Sequence, residues 1–244
     1  MRKNSLRRLG RALFAEPIRP LWLVVAIFAL WQAAVVAFTV PKWLIPTPGE
    51  VIGQLIAEWP RLLREGAITT YASIGGFALS VVVGIPLAMA IVYSRTVESM
   101  LYPLLVFSQT IPKIAIAPLF IVWFGFGVFP KIIAAFLLSF FPIRVSTVTG
   151  FTSVERDMID LVRSMKASGL QTFTAIRFPY ALPHIFAGLK VAITLAVVGA
   201  VVGEFVGSNS GIGYLLQIAN GNFDLPLMFA ALFVLAFIGV LLFA

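Results

Sequence analysis

The residues that could do chemistry are few, and most stand in one stretch. Residues 152–169 read TSVERDMIDLVRSMKASG, with Glu155, Asp157, Asp160, Arg163 and Lys166 interleaved along it. Acids alternating with bases suit recognition of a protein partner, because complementary charge fixes register and selects against wrong partners. Two further charges sit in apolar surroundings. Lys113 stands in QTIPKIAIAP, and Glu204 closes the run that begins near residue 184. An ionisable group inside an apolar run is a functional candidate by default. Lys113 could meet an anionic solute or pair with a carboxylate on a solute pathway. Alternatively, Pro103, Pro112 and Pro118 distort its helix and the amine snorkels to an edge. Glu204 could line an external gate, hold the adjacent loop, or be an ordinary interfacial carboxylate. GSNSGIG, at 207–213, has the glycines of a phosphate loop but not its lysine, so it reads as a flexible or re-entrant turn. His184 is the sole histidine and there is no cysteine. No metal cluster, catalytic triad or carboxylate pair is expected, hence no enzyme chemistry on a substrate.

The elements that must position these groups follow from composition. Of 244 residues, 60% are hydrophobic and 11% charged. Soluble domains run at about 45–50% apolar and about 25% charged. This balance excludes a water-soluble globule and implies an all-α integral membrane protein in contact with lipid. Lipid admits only helices or closed barrels, and no segment alternates with period two as a barrel strand does. Six transmembrane helices are predicted at roughly 21–40, 67–92, 101–126, 128–150, 184–204 and 225–244. Residues 1–20 form a basic N-terminal segment, and 21–244 form the membrane domain. The last run stops at Ala244 with no polar anchor, which reads as a chain cut short of its natural C-terminus.

Orientation follows from lysine and arginine. With the N-terminus cytoplasmic, the inner segments hold thirteen basic residues, including Arg95, Arg144, Arg156, Arg163, Lys166, Arg177 and Lys190. The outer segments hold Lys42, Arg61, Arg64 and Lys131. The net charge of +8 therefore speaks to orientation in the membrane rather than to nucleic acid. The outer loop 41–66 carries Val51, Ile52, Leu55, Ile56 and Trp59 at helical spacing, which predicts a short interfacial helix, with Trp43 and Trp59 at headgroup level. Small residues recur every fourth position at Ala72, Gly76, Ser80, Gly84 and Ala88, and again at Gly188, Ala192, Ala196 and Ala200. Such stripes let helix backbones approach closely.

The charged stretch lies in the inner loop 151–183, between spans four and five. Thr152 and Glu155 make a capping-box pattern, which predicts a helix over 153–168. Glu155 and Asp157 suit its first turn. Met158, Leu161, Val162 and Met165 make one apolar face, and Gly169 reads as its C-cap. Pro179 and Pro183 are expected to break the chain before span five.

This loop resembles the cytoplasmic signature loop of binding-protein-dependent ABC importer permeases, written E-A-A, three residues, G, nine residues, I-x-L-P. Asp160-Leu161-Val162 stands at the E-A-A, Lys166 at the G, and Ile176-Arg177-Phe178-Pro179 at the I-x-L-P. Asp replaces Glu, Leu-Val replaces Ala-Ala, Lys replaces Gly and Phe replaces Leu. PTPGEVIGQL, IPKIAIAPLFIVWFGFG, FPYALPHIFAGLKVAI and GEFVGSNSGIGYLL resemble the branch that imports nitrate, taurine, aliphatic sulfonates, and pyrimidine or flavin precursors. The resemblance implies a homodimer of permease chains, two cytosolic ATPase subunits and an external substrate-binding protein. ATP and Mg²⁺ would sit on the ATPases, with no cofactor on this chain. It implies a bacterial inner membrane, and a loop that docks on the ATPase, so that Glu155, Asp157, Asp160, Arg163, Lys166 and Gly169 are the ATPase-coupling candidates; Lys113 and Glu204, by their place in apolar runs, stay the substrate-pathway candidates. No G-x-x-x-x-G-K-[ST] occurs in the chain. The energy must therefore come from another subunit or, alternatively, from an ion gradient as in a secondary transporter.

Overall fold

The computed structural model describes residues 19–41 and 44–244. The basic segment up to residue 18, with Lys42 and Trp43, lies outside the described residues. All regular structure among the described residues is helical. The order is α1 (Arg19–Ala37), α2 (Pro48–Ala57), α3 (Trp59–Tyr93), α4 (Arg95–Thr110), α5 (Lys113–Phe124), α6 (Val128–Thr152), α7 (Arg156–Ser164) and α8 (Gly169–Thr172). A π-helical turn at Phe173–Arg177 follows, then α9 (Phe178–Phe205), α10 (Ile212–Gly221) and α11 (Leu225–Phe243). This is an all-α, multi-pass membrane protein. Among the described residues, four helical runs are long and apolar enough to cross a bilayer: α3, α6, Gly169–Phe205 and α11.

Each of the six predicted spans falls on helix, but two need correction. The third is not continuous. Its halves, α4 and α5, meet at 95° and make a fifth crossing only when counted together. Pro112 supplies no N–H, and the residue before a proline is pushed out of the α region. Ile111 accordingly sits at φ −75°, ψ 125°. The fifth begins well before residue 184. Pro179 lies in the first turn of α9, where a missing N–H costs nothing, and the helix continues through Pro183. In α1 the apolar described stretch is Trp22–Ala37, shorter than a full crossing. Arg144 and Lys190, counted on the inner side although the predicted fourth and fifth spans contain them, stand inside α6 and α9.

The chain forms two compact units: residues 1–59 with 219–230, and residues 60–218 with 231–244. In the first, α2 is the short helix expected from its periodicity. Thr47 starts it with a capping box: Thr47 Oγ1 accepts the Glu50 N–H at 3.3 Å, and Glu50 Oε2 accepts the Thr47 N–H at 3.0 Å. Trp31 packs on Phe28 and Phe229, with centroids 5.8 and 5.6 Å away.

The core of the second unit is α3, α6 and α9, and its contacts are the small-residue stripes. Ala72, Ala135, Ala196 and Ala200 are fully buried together. At Gly76 an added Cβ would strike Ala135, and at Gly199 it would lie 2.6 Å from the Ala134 carbonyl oxygen. Backbones this close leave no space for a side chain. The Ser80 and Ser139 hydroxyls meet at 2.6 Å across α3 and α6, which satisfies both groups inside the membrane layer.

Candidate functional site

Three sets of polar residues stand out in the second unit. The first is the charged loop. α7 begins at Arg156, not at 153, and Glu155 is its N-cap without a side-chain bond. Thr152 is not a cap: it ends α6, its hydroxyl donating back to the Val148 carbonyl at 2.9 Å. An N-cap has an extended backbone outside its helix, whereas Thr152 is still a residue of α6 and α7 starts only at Arg156. Asp157 lies in the first turn and Arg163 in the last, each at the favourable dipole end.

Gly169 is not the C-cap. The left-handed residue is Lys166, at φ 60°. The Lys166 N–H donates to the Arg163 carbonyl at 2.9 Å and the Ala167 N–H to the Val162 carbonyl at 3.2 Å. These two bonds are the Schellman pattern. Gly169 instead opens α8, where Ser168 and Gln171 form a capping box. The loop is anchored through Phe173, whose ring lies 5.8 Å from both Tyr93 and Phe151. Arg177 stacks over Tyr93 at 5.5 Å.

On this anchored frame the apolar face of α7 is open. Leu161 is 63% exposed and Met165 74%, with Leu170 beside them at 72%. The Asp160 and Arg163 side chains, both largely exposed, pair loosely with each other at 3.7 Å.

The second set is a buried network that closes the 207–213 turn. Thr69 Oγ1 donates to the Glu204 carboxylate at 2.9 Å and accepts the Ile212 N–H at 2.8 Å. Glu204 Oε2 accepts the Gly213 N–H, and Glu65 Oε2 accepts the Gly211 N–H, both at 2.7 Å. Lys131 Nζ donates to the Ser210 carbonyl and hydroxyl at 2.8 and 2.9 Å. Glu204 and Thr69 are fully buried, and Lys131 is 1% exposed. The turn is therefore pinned rather than flexible. Gly211, at φ 101°, leaves space for the Glu204 carboxylate, which a Cβ would overlap.

Glu65, Thr69, Lys131 and Ser210 were missed by the sequence analysis. Arg61, Arg64 and Glu65 follow one another within one turn, so nothing local separates a buried carboxylate from a solvated neighbour. The nearest signal was the glycine-rich turn, whose exposed amides need acceptors from somewhere.

The third set surrounds the break in the third span. Lys113 opens α5, which has no side-chain cap, and its amine lies 4.6 Å from the centre of the Phe141 ring. The structure thus keeps the coupling candidates together, Gly169 included, and sets Lys113 and Glu204 in separate surroundings. No group of His, Cys, Asp and Glu able to hold a metal ion occurs among the described residues.

Comparisons with known proteins match this architecture. A family model described as binding-protein-dependent transport system inner membrane component matches residues 76–244. The formylaminopyrimidine transport permease protein ThiX of Halalkalibacterium halodurans is 37% identical over 94% of this chain and 92% of its own length. The riboflavin transport system permease protein RibX of Chloroflexus aurantiacus is 36% identical over 99% and 90%. The putative aliphatic sulfonates transport permease protein SsuC of Bacillus subtilis is 30% identical over 92% and 82%. Among solved structures, an inward-facing conformation of the MetNI methionine ABC transporter shares the fold, with TM-score 0.62 and 18% identity over 76% of this chain and 93% of that one. On these matches the chain belongs to the family of binding-protein-dependent transport system inner membrane components, the permease subunits of ABC transporters.

Proposed function

We propose that this chain is the permease of an ABC importer that works as a homodimer with two cytosolic ATPase subunits and an external binding protein. It carries a small solute inward, of the kinds for which its relatives are named or the related nitrate and taurine. ATP and Mg²⁺ sit on the ATPases, and this chain contributes no nucleotide site. Its N-terminus is cytoplasmic: with Arg144 and Lys190 placed in helices, the inner side still holds eleven basic residues.

One observation carries the coupling role. α7 is a short helix with a locked C-terminus, an aromatic anchor behind it, and an apolar face left open at Leu161 and Met165. A helix laid by its apolar face into a partner's groove is a common recognition mode. Asp160, Arg163, Glu155, Asp157 and Lys166 form the polar surround that sets register. Phe173 links α7 to the ends of α3 and α6, so movement of the ATPase pair passes directly into the membrane helices. Glu204 stiffens the outer turn at the opposite helix ends, and so frames the external side of the pathway.

The test is co-purification of the tagged chain with ATPase subunits from the same cell, beside a variant with 153–169 replaced by a Gly-Ser linker. Stoichiometric ATPase on the first and none on the second is expected. No ATPase on either, from folded protein, returns the chain to the gradient-driven class.

A further inference from the structure

Behind α7 lies a cavity of about 350 Å³, between the end of α3, α7 itself, the turn that follows it and the π-helical turn. Tyr93, Ile159, Arg163, Ala167, Gly169 and Arg177 line it. Ile159 and Arg163 are four residues apart on α7 and share one face. At about 100° per residue, that face lies roughly 200° round the helix from Leu161 and Met165. A partner seated on Leu161 and Met165 therefore meets α7 from the other side and leaves the cavity unused.

Two arginines line this space, and none of the lining residues is acidic. Arg177 is half-buried and stacks over Tyr93 at 5.5 Å, with no carboxylate within 4 Å among the described residues. Arg163 comes no nearer to Asp160 than 3.7 Å, which is too far for a hydrogen bond. Both planar forks of N–H donors are thus free to hold a carboxylate or phosphate in bidentate fashion. Gly169 adds no side chain to the space, and a Cβ there would meet nothing within 4 Å. The level of the cavity selects among anions. α3 is long enough to cross a bilayer and ends at Tyr93, which is 51% exposed. Phe178 and Tyr180, directly after Arg177 in the chain, are also exposed. Exposed aromatic side chains at the ends of crossing helices mark the headgroup level. Basic pockets at that level on the cytoplasmic side bind phosphorylated lipid headgroups.

We propose that this cavity binds a phosphate ester, supplied by the headgroup of an anionic phospholipid, with Arg163 and Arg177 as its two donors. Tyr93 backs Arg177 and holds its guanidinium in place. The phosphate ties α7 to the end of α3 and the start of α9, so the membrane itself fixes the loop behind its open face. A zwitterionic headgroup fits less well, because its ammonium finds no acid among the lining residues. The site stands whether or not α7 carries an ATPase.

The test is titration of the purified chain, in an uncharged detergent, with dioctanoyl phosphatidylglycerol, dioctanoyl phosphatidylcholine or glycerol phosphate, with bound molecules counted by native mass spectrometry. Saturable binding of phosphatidylglycerol is expected, with phosphatidylcholine and glycerol phosphate each weaker by about tenfold or more, since each lacks either the net charge or the chains. Arg163→Met and Arg177→Met should each weaken phosphatidylglycerol by about tenfold or more, the fold-change that one lost charge-assisted bond gives. Arg177→Lys should recover part of the loss, because it keeps the charge without the fork. Arg163 is exposed, so Arg163→Met keeps the fold and the test does not hang on Arg177. Bound phosphatidylglycerol should also slow hydrogen exchange at the Lys166 and Ala167 amides in wild type and not in Arg163→Met, which a merely structural arginine would not produce. Equal binding of phosphatidylcholine, or unchanged affinity in both methionine variants, would overturn the proposal. Equal binding of glycerol phosphate would assign the site to a soluble phosphate, and displacement of the lipid by the co-purifying ATPase would assign the arginines to that partner; either result also overturns it.

Discussion

Lys166 holds a left-handed backbone conformation, and its N–H closes α7 by donating to the Arg163 carbonyl at 2.9 Å. A side chain there costs roughly 1 kcal/mol relative to glycine, because Cβ crowds the following carbonyl. The family pattern has glycine at this point, and the strain explains why. Lys166→Gly should therefore tighten the loop. Hydrogen exchange at the Lys166 and Ala167 amides should slow about fivefold, which is the same roughly 1 kcal/mol. Gly169→Val should leave exchange unchanged, because a Cβ at Gly169 meets nothing within 4 Å. Slowed exchange in neither variant would remove the strain from Lys166.

The Leu161 and Met165 side chains should behave as interface residues, not core residues. Leu161→Asp or Met165→Asp should leave thermal unfolding unchanged, since both side chains are exposed. Each should weaken ATPase binding at least thirtyfold, which is about 2 kcal/mol and the scale of an interface hot spot. Titration of purified ATPase onto the chain in nanodiscs measures this. Equal affinity in both variants would place the docking face elsewhere.

Much of this was legible beforehand, for a physical reason. Apolar runs and small-residue stripes are local patterns, so the helices and the close packing at Gly76 and Gly199 could be read from spacing alone. α7 was legible as an amphipathic helix, but its ends were not. Thr152 satisfies the capping pattern in sequence, yet it is the last residue of α6 and the N-cap position falls on Glu155. The left-handed turn fell on Lys166 instead of the nearby Gly169, and no local preference favours lysine there. The pinned turn was illegible because its partners are far apart in sequence: Glu65 and Gly211 are separated by 146 residues. Arg144 lay inside the predicted fourth span, but its burial without a partner for Nε could not be read from charge alone.

Thr69 should be the keystone of the pinned turn. Its hydroxyl both donates to Glu204 and accepts from Ile212. Thr69→Val keeps the shape but strands a buried N–H and leaves Glu204 short of a donor. An unsatisfied buried group costs about 1–3 kcal/mol, and more when it is charged. A fall of about 2–3 kcal/mol in unfolding free energy in detergent is expected, with Thr69→Ser recovering most of it. A neutral Thr69→Val would mean that Glu65, Glu204 and Lys131 hold the turn without it.

The three-helix core makes a prediction with an internal control. Gly76 and Gly199 both press on α6 near Ala135, but against different atoms. A Cβ at Gly76 would strike the Ala135 Cβ first, with the Phe136 nitrogen and Ile132 oxygen at 2.7 and 2.8 Å. At Gly199 it would meet only backbone: the Ala134 oxygen and Ala135 Cα, both at 2.6 Å. Gly76→Ala and Gly199→Ala should each lower stability by about 1–3 kcal/mol, the usual cost of overpacking. Adding Ala135→Gly removes the first obstacle at Gly76 and none at Gly199. The Ala135→Gly double should thus recover part of the Gly76→Ala loss and none of the Gly199→Ala loss, measured by thermal unfolding of wild type, the three single variants and the two doubles in one detergent. Such non-additivity is expected only between residues in contact. Equal recovery in both would mean that α3 and α9 meet α6 through side chains, not through the close backbone approach that positions the whole pathway.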